Sequence, residues 1–168
     1  MTMATRWMRG MMAAVVGAAL LAGAGTVCAQ DAQTQALLEK YRADFNAAKK
    51  QTIDEVMKLN EGEAKKFWPI YEDYTKKLNA YSDKRLKFAN DFTIAQSATT
   101  FDPDQAKQLT QRWLKLQHDR INLWETYAGK IGRAVSPVRA AQFLQIENEI
   151  ATVLDLNVLA NAPLVGQP

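Results

Sequence analysis

The sequence predicts an all-α protein of four helices, the second and third forming a long antiparallel hairpin within an elongated bundle. Three observations carry that expectation. From Gln30 onward no convincing run alternates apolar and polar residues as a half-buried strand would, and there is no Asn-Gly hairpin turn. Apolar residues recur instead at steps of three and four, which places them on one face of a helix. Asn60, Asp102-Pro103 and Ser136-Pro137 punctuate the periodic stretches, and each is a good helix start.

The first 29 residues stand apart. Met1–Gly10 is polar and holds Arg6 and Arg9, Met11–Gly25 is an uncharged run of Met, Ala, Val, Leu and Gly, and Val27-Cys28-Ala29 precedes Gln30-Asp31. That is the three-part order of a secretory signal peptide, cut before Gln30. The apolar run is shorter and richer in Gly and Ala than the roughly 20 strongly apolar residues of a membrane span, so membrane attachment would need the signal to stay uncleaved. The expected location is a bacterial periplasm. The expected organisation is a signal peptide over 1–29, a helical domain over 30–160 and a short tail over 161–168.

Composition then limits the chemistry. The chain has 168 residues, 21 basic and 18 acidic, for a net charge of +3. Without Arg6 and Arg9 the balance is 19 against 18, and the only cysteine, Cys28, lies in the leader with five of the six methionines. The body therefore has no disulfide framework, no cysteine nucleophile, no Cys/His zinc site and no Met-rich copper site. Its near-neutral charge also argues against a domain built for nucleic acid.

The first helix is expected over about 34–58, with Leu38, Tyr41, Phe45 and Ala48 on one face. Asn60 caps the second, with Glu61 and Glu63 at the positive end of the helix dipole and Glu63 placed to complete a capping box. Its seam is Phe67, Tyr71, Tyr74, Leu78, Tyr81, Arg85, Phe88 and Phe92, interrupted in character only at Arg85, and Pro69 should kink it near its start. Asp102 caps the third helix, with Pro103 at its first position and Gln105 at its third. The third seam runs Ala106, Leu109, Trp113, Leu116, Arg120, Leu123, Tyr127 and Ile131. Helices of some 30 to 37 residues span roughly 45–55 Å, and a short connection makes them antiparallel neighbours. A fourth helix follows over 137–159, carrying Phe143, Ile146, Ile150, Val153 and Leu156.

Leu59-Asn60-Glu61-Gly62-Glu63 and Phe101-Asp102-Pro103-Asp104-Gln105 share a pattern: an apolar residue, a cap, two spacers, then Glu or Gln before a long amphipathic helix. The pair resembles the LTxxQ motifs of the Spy/CpxP family of periplasmic helical chaperones and stress regulators. Asn60 and Asp102 stand where that family has Thr, and Glu63 where it has the first Gln. The resemblance implies an exported, ATP-independent chaperone-like or envelope-stress protein that binds partly unfolded proteins. An adaptor or regulator that binds one specific folded envelope or sensor partner is the alternative. Neither implies a cofactor.

No catalytic constellation is evident. The one histidine, His118, sits mid-helix and should face outward, away from any base or metal-ligand role. The carboxylate pairs Asp54/Glu55, Glu72/Asp73 and Glu147/Glu149 read as solvated polar faces, and so do most lysines, including Lys49-Lys50. Five apolar residues lie off the seams: Trp68, Leu86, Leu114, Ile121 and Trp124. Flanked by Lys65, Lys76, Lys84 and Lys87, they would form an amphiphilic client surface, drawing unfolded chains by charge and holding them by apolar contact. The competing reading is that the first or fourth helix, or the second copy of a homodimer, covers them.

Overall fold

The computed structural model of the chain describes residues 27–97 and 102–159. Among them are four helices and no strand: α1 (Val27–Met57), α2 (Glu61–Gln96), α3 (Pro103–Ala134) and α4 (Pro137–Leu159). The expected bounds hold closely for α2, α3 and α4. The α1 helix starts seven residues earlier than expected, at Val27, and runs across Ala29-Gln30. Cys28 through Gln33 holds no Gly or Pro to break a helix, so the helix runs through this stretch. The rest of the expected leader, the turn residue Phe101 and the tail 161–168 lie outside the described residues.

The chain divides into two compact units at Arg42/Ala43. In the first, the described part is the opening stretch of α1. The second holds the rest of α1 and the other three helices, and everything below concerns it.

Each turn is fixed by local chemistry. The α1 helix closes at Lys58, whose φ of 46° is left-handed and whose N–H donates to Asp54 O at 3.1 Å. Asn60 then caps α2 with a complete capping box: its side chain accepts from Glu63 N at 2.9 Å, and Glu63 accepts from Asn60 N at 3.0 Å. The helix continues through Pro69 to Gln96. At α3 the Asp102 carboxylate accepts from Asp104 N at 3.0 Å, with Pro103 in the first turn. That bond goes to the second helical residue, not to Gln105 as a capping box would have it.

Cross-links fix the directions. Asp73 meets Lys130, Lys84 meets Asp119, and Asp91 meets Arg112, so α2 and α3 run antiparallel along the whole hairpin. Arg120 meets Asp155 while Gly132 lies against Ala140, so α4 runs back along α3. The closest backbone packing is α2 on α3, then α3 on α4; α1 reaches the others mainly through long side chains.

The main core cluster is rich in aromatic residues and lies in one part of the hairpin, while Tyr81, Ala95, Leu109 and Leu116 are buried outside it. Ile53 and Met57 of α1, Phe67, Tyr71 and Tyr74 of α2, Tyr127 and Ile131 of α3, and Ala140, Phe143 and Ile146 of α4 form the cluster. Tyr74 stands edge-on to Tyr127 at 5.2 Å and to Phe143 at 5.0 Å.

Two seam expectations need correction. Trp113 is 49% exposed, because Asp155 of α4 already sits opposite Arg120 and little of α4 remains to cover residues nearer the start of α3. Arg85 and Arg120 do more than interrupt the apolar rows. Both donate to Asp155, at 2.8 and 2.6 Å, and so pin the end of α4 between α2 and α3.

Candidate functional site

The most unusual chemistry lies inside the core. On α1 the inward stripe is Lys49, Ile53 and Met57, each four residues from the next; on α4 it is Phe143, Ile146, Glu147 and Ile150. Lys49 and Glu147 thus occupy core positions, and they are 2% and 3% exposed. The sequence reading placed both on solvated faces, and the structure overturns that. The residue type pointed outward while the spacing pointed inward.

The two groups meet at 2.7 Å, Lys49 Nζ to Glu147 Oε2. The Tyr74 hydroxyl donates to the same oxygen at 2.6 Å, and Trp124 Nε1 donates to the Tyr74 oxygen at 3.2 Å. The ammonium also lies 5.3 Å from the Tyr74 ring centre and 5.9 Å from that of Tyr71. Burial pushes the Lys49 ammonium pKa down, and the Glu147 charge and hydrogen bond oppose it. Burial, and then the Glu147 charge, push the Tyr71 and Tyr74 hydroxyls well above their ordinary value, so both stay protonated; only Tyr74 donates to Glu147, and the buried Tyr71 hydroxyl has no hydrogen-bond partner among the described residues. A chain of polar groups therefore joins α1, α4, α2 and α3 in that order. With solvent shut out, its chemistry is cohesion between helices.

Two further polar joints surround it. Arg139 of α4 binds both Glu63 oxygens, at 2.9 and 2.8 Å, and donates to the Met57 carbonyl at 2.7 Å. That one guanidinium ties the end of α1 and the start of α2 to the start of α4. Its hydrogen bonds, with that from Asn60 N, hold the Glu63 carboxyl below the usual carboxylate range. Asp73 accepts from the Tyr127 hydroxyl at 2.6 Å and pairs with Lys130 at 3.2 Å. Burial and then Asp73 push the Tyr127 hydroxyl up to about 12.

The expected client-binding residues fall into two groups. Leu86, Leu114 and Ile121 are about half exposed, as their off-seam positions suggested. Leu114 and Ile121, seven residues apart, share one side of α3, with exposed His118 between them. Trp68 and Trp124 do not belong with them: both are half-buried and pack on the core, and Lys50 Nζ sits 5.0 Å from the Trp68 ring. Of the expected lysines, Lys65 pairs with Glu61 and Lys84 with Asp119, while Lys76 and Lys87 are exposed. Sequence reasoning missed Ile94, on α2, as an exposed apolar residue. A shallow cleft of about 210 Å³ between the ends of α2 and α3 is lined by Asp91, Ile94, Gln105, Gln108, Leu109 and Arg112, with the Arg112–Asp91 pair on its wall.

Among the described residues no group of three or more His, Cys, Asp or Glu could hold a metal ion. Among them, too, no helix is long and apolar enough to cross a membrane. No family model, curated protein or solved structure matches the chain.

Proposed function

We propose that the chain is an exported, ATP-independent chaperone-like or envelope-stress protein of the periplasm, which binds partly unfolded proteins through the part of the α2–α3 hairpin that lies outside the core. One observation carries the reading: Leu86 and Ile94 of α2 and Trp113, Leu114 and Ile121 of α3 are all exposed there. Exposed apolar side chains rimmed by charge suit an extended, adaptable partner. Lys84, Lys87, Arg112 and Lys115 supply that charge and would speed first encounter with acidic segments. The Spy/CpxP resemblance adds the capped helical framework and the periplasmic setting.

The test is suppression of aggregation of several unrelated heat-unfolded proteins. Ile121→Ser and Trp113→Ser should weaken it at least about threefold while changing stability by about 0.5–1 kcal/mol, as expected for partly exposed positions. Unchanged suppression in both variants would remove this surface from the function, and capture of one stoichiometric folded partner would replace the reading with that of an adaptor.

A further inference from the structure

Some of the exposed apolar side chains of the hairpin prolong the face on which α4 lies. We propose, building on the client-binding reading, that this prolonged face seats an acidic amphipathic helix, which continues the line of α4 along α2 and α3.

The contacts of α4 define the seat. Asp155 accepts from Arg85 of α2 at 2.8 Å and from Arg120 of α3 at 2.6 Å, so both arginines point to the side that α4 covers. Phe92 follows Arg85 by seven residues and Trp113 precedes Arg120 by seven, so each aromatic shares its arginine's side of the helix. Because α2 and α3 are antiparallel, the two stand at the same level, one step beyond the Asp155 joint. Phe92 is half-buried and Trp113 is 49% exposed. Lys107, Leu114 and Ile121, again at seven-residue steps, line the outer edge. The α4 helix ends at Leu159, soon after Asp155, whereas α3 reaches back from Arg120 to Pro103. About 20 Å of the same face therefore continues past the end of α4, the length of a helix of three to four turns.

Charge selects the partner. A single Asp155 carboxylate is shared by the two guanidiniums, which leaves the head of the seat positive, and exposed Lys107 adds to it. The carboxylates of the stretch 85–120 are engaged elsewhere. Asp91 pairs with Arg112, Asp119 pairs with Lys84 and Lys115, Asp102 caps α3, and Asp104 lies at the positive start of that helix. A segment with an apolar stripe and Asp or Glu on its flank meets aromatic contact and opposite charge together, while a basic segment is repelled. An isolated helix of this length is marginal in water, so the segment folds as it binds, as one from a partly unfolded acidic protein would.

Two synthetic peptides of about 14 residues test this against the full chain, both with leucine at three- and four-residue steps, one with glutamate and the other with lysine on the flanks. The glutamate peptide should bind at least about tenfold more tightly and gain helicity on binding. Trp113→Ser should weaken it at least about threefold. Lys107→Glu should lower the affinity of the glutamate peptide and raise that of the lysine peptide, a swap that damage to the fold does not produce. The proposal fails if neither peptide binds, if both bind alike, if the bound glutamate peptide stays unstructured, or if Lys107→Glu leaves both affinities unchanged. It fails too if the chain self-associates and Trp113→Ser abolishes that, since a second copy then holds the seat. In each of these cases suppression of aggregation, measured separately, still decides the wider client reading.

Discussion

The two parts of the α2–α3 hairpin carry nearly the same pattern and reach different ends. Near the capped start of α2, the rows Phe67-Tyr71-Tyr74 and Tyr127-Ile131 are closed over by Ile53 and Met57 on one side and Phe143 and Ile146 on the other. Further along, Phe88 and Phe92 stack at 6.4 Å but stay half-buried, and Trp113 is half open to water. Both stretches have aromatic residues at three- and four-residue steps. What separates them is the cover that α4 and the 43–57 stretch of α1 give to the first, where Ile53, Met57, Phe143 and Ile146 close over the aromatic rows. Periodicity fixes which way a side chain points, while burial depends on whether something else arrives to cover it.

The largest test of that contrast is to truncate the same kind of residue in each part. Phe143→Ala should lose about 3–5 kcal/mol and Trp113→Ala only about 1 kcal/mol in thermal or denaturant unfolding. Equal losses would mean that the surroundings of Trp113 are as tightly packed as the core. Glu147→Ala should rank with Phe143→Ala, at about 3–5 kcal/mol, because it strands a buried ammonium. Next comes Tyr74→Phe. It removes the hydroxyl that Glu147 accepts from and that receives the Trp124 N–H, and should lose about 1–3 kcal/mol by the same measurement.

The caps compare the two parts at their starts. Asn60→Ala breaks a reciprocal pair of bonds and should lose about 1 kcal/mol; Asp102→Ala, with one bond, should lose about 0.5 kcal/mol. If neither variant changes the melting temperature, the repeated cap motif has no stabilising role. The smallest effect is one of pH. The Glu63 carboxyl is held below its usual range by Arg139, so its stabilisation is complete above the unfolded carboxylate value and fades as pH falls through the lowered folded one. Glu63→Gln should therefore flatten the acid limb of melting temperature against pH, and an unchanged limb would show that the Arg139 joint does not contribute there.

Much of the fold was legible because its signals are local. Asn60, Asp102-Pro103 and Ser136-Pro137 act on backbone groups within three residues, and helix direction follows from short connections. The buried pair was not legible in the same way. Lys49 and Glu147 are 98 residues apart, and a lysine or glutamate alone ordinarily means surface. Their spacing from Ile53, Met57, Phe143 and Ile146 held the clue, since each falls on the inward stripe of its helix. Trp68 and Trp124 depart from expectation for a related cause: an off-seam residue is uncovered only where no further helix packs on it, and both pack on the core.

The placement of the tryptophans gives the molecule its own optical reporters. Trp124, bonded to Tyr74, and Trp68, beneath the Lys50 ammonium, pack on the core; Trp113 lies away from it, half open to water. Excited indoles there emit at longer wavelength and meet dissolved quenchers freely, whereas the other two are shielded by the aromatic core. In a chain lacking the expected leader, and with it Trp7, iodide quenching would read Trp113 first and the blue-edge emission would read the other two. Loosening of one part could thus be followed while the other holds, with no label attached to the chain.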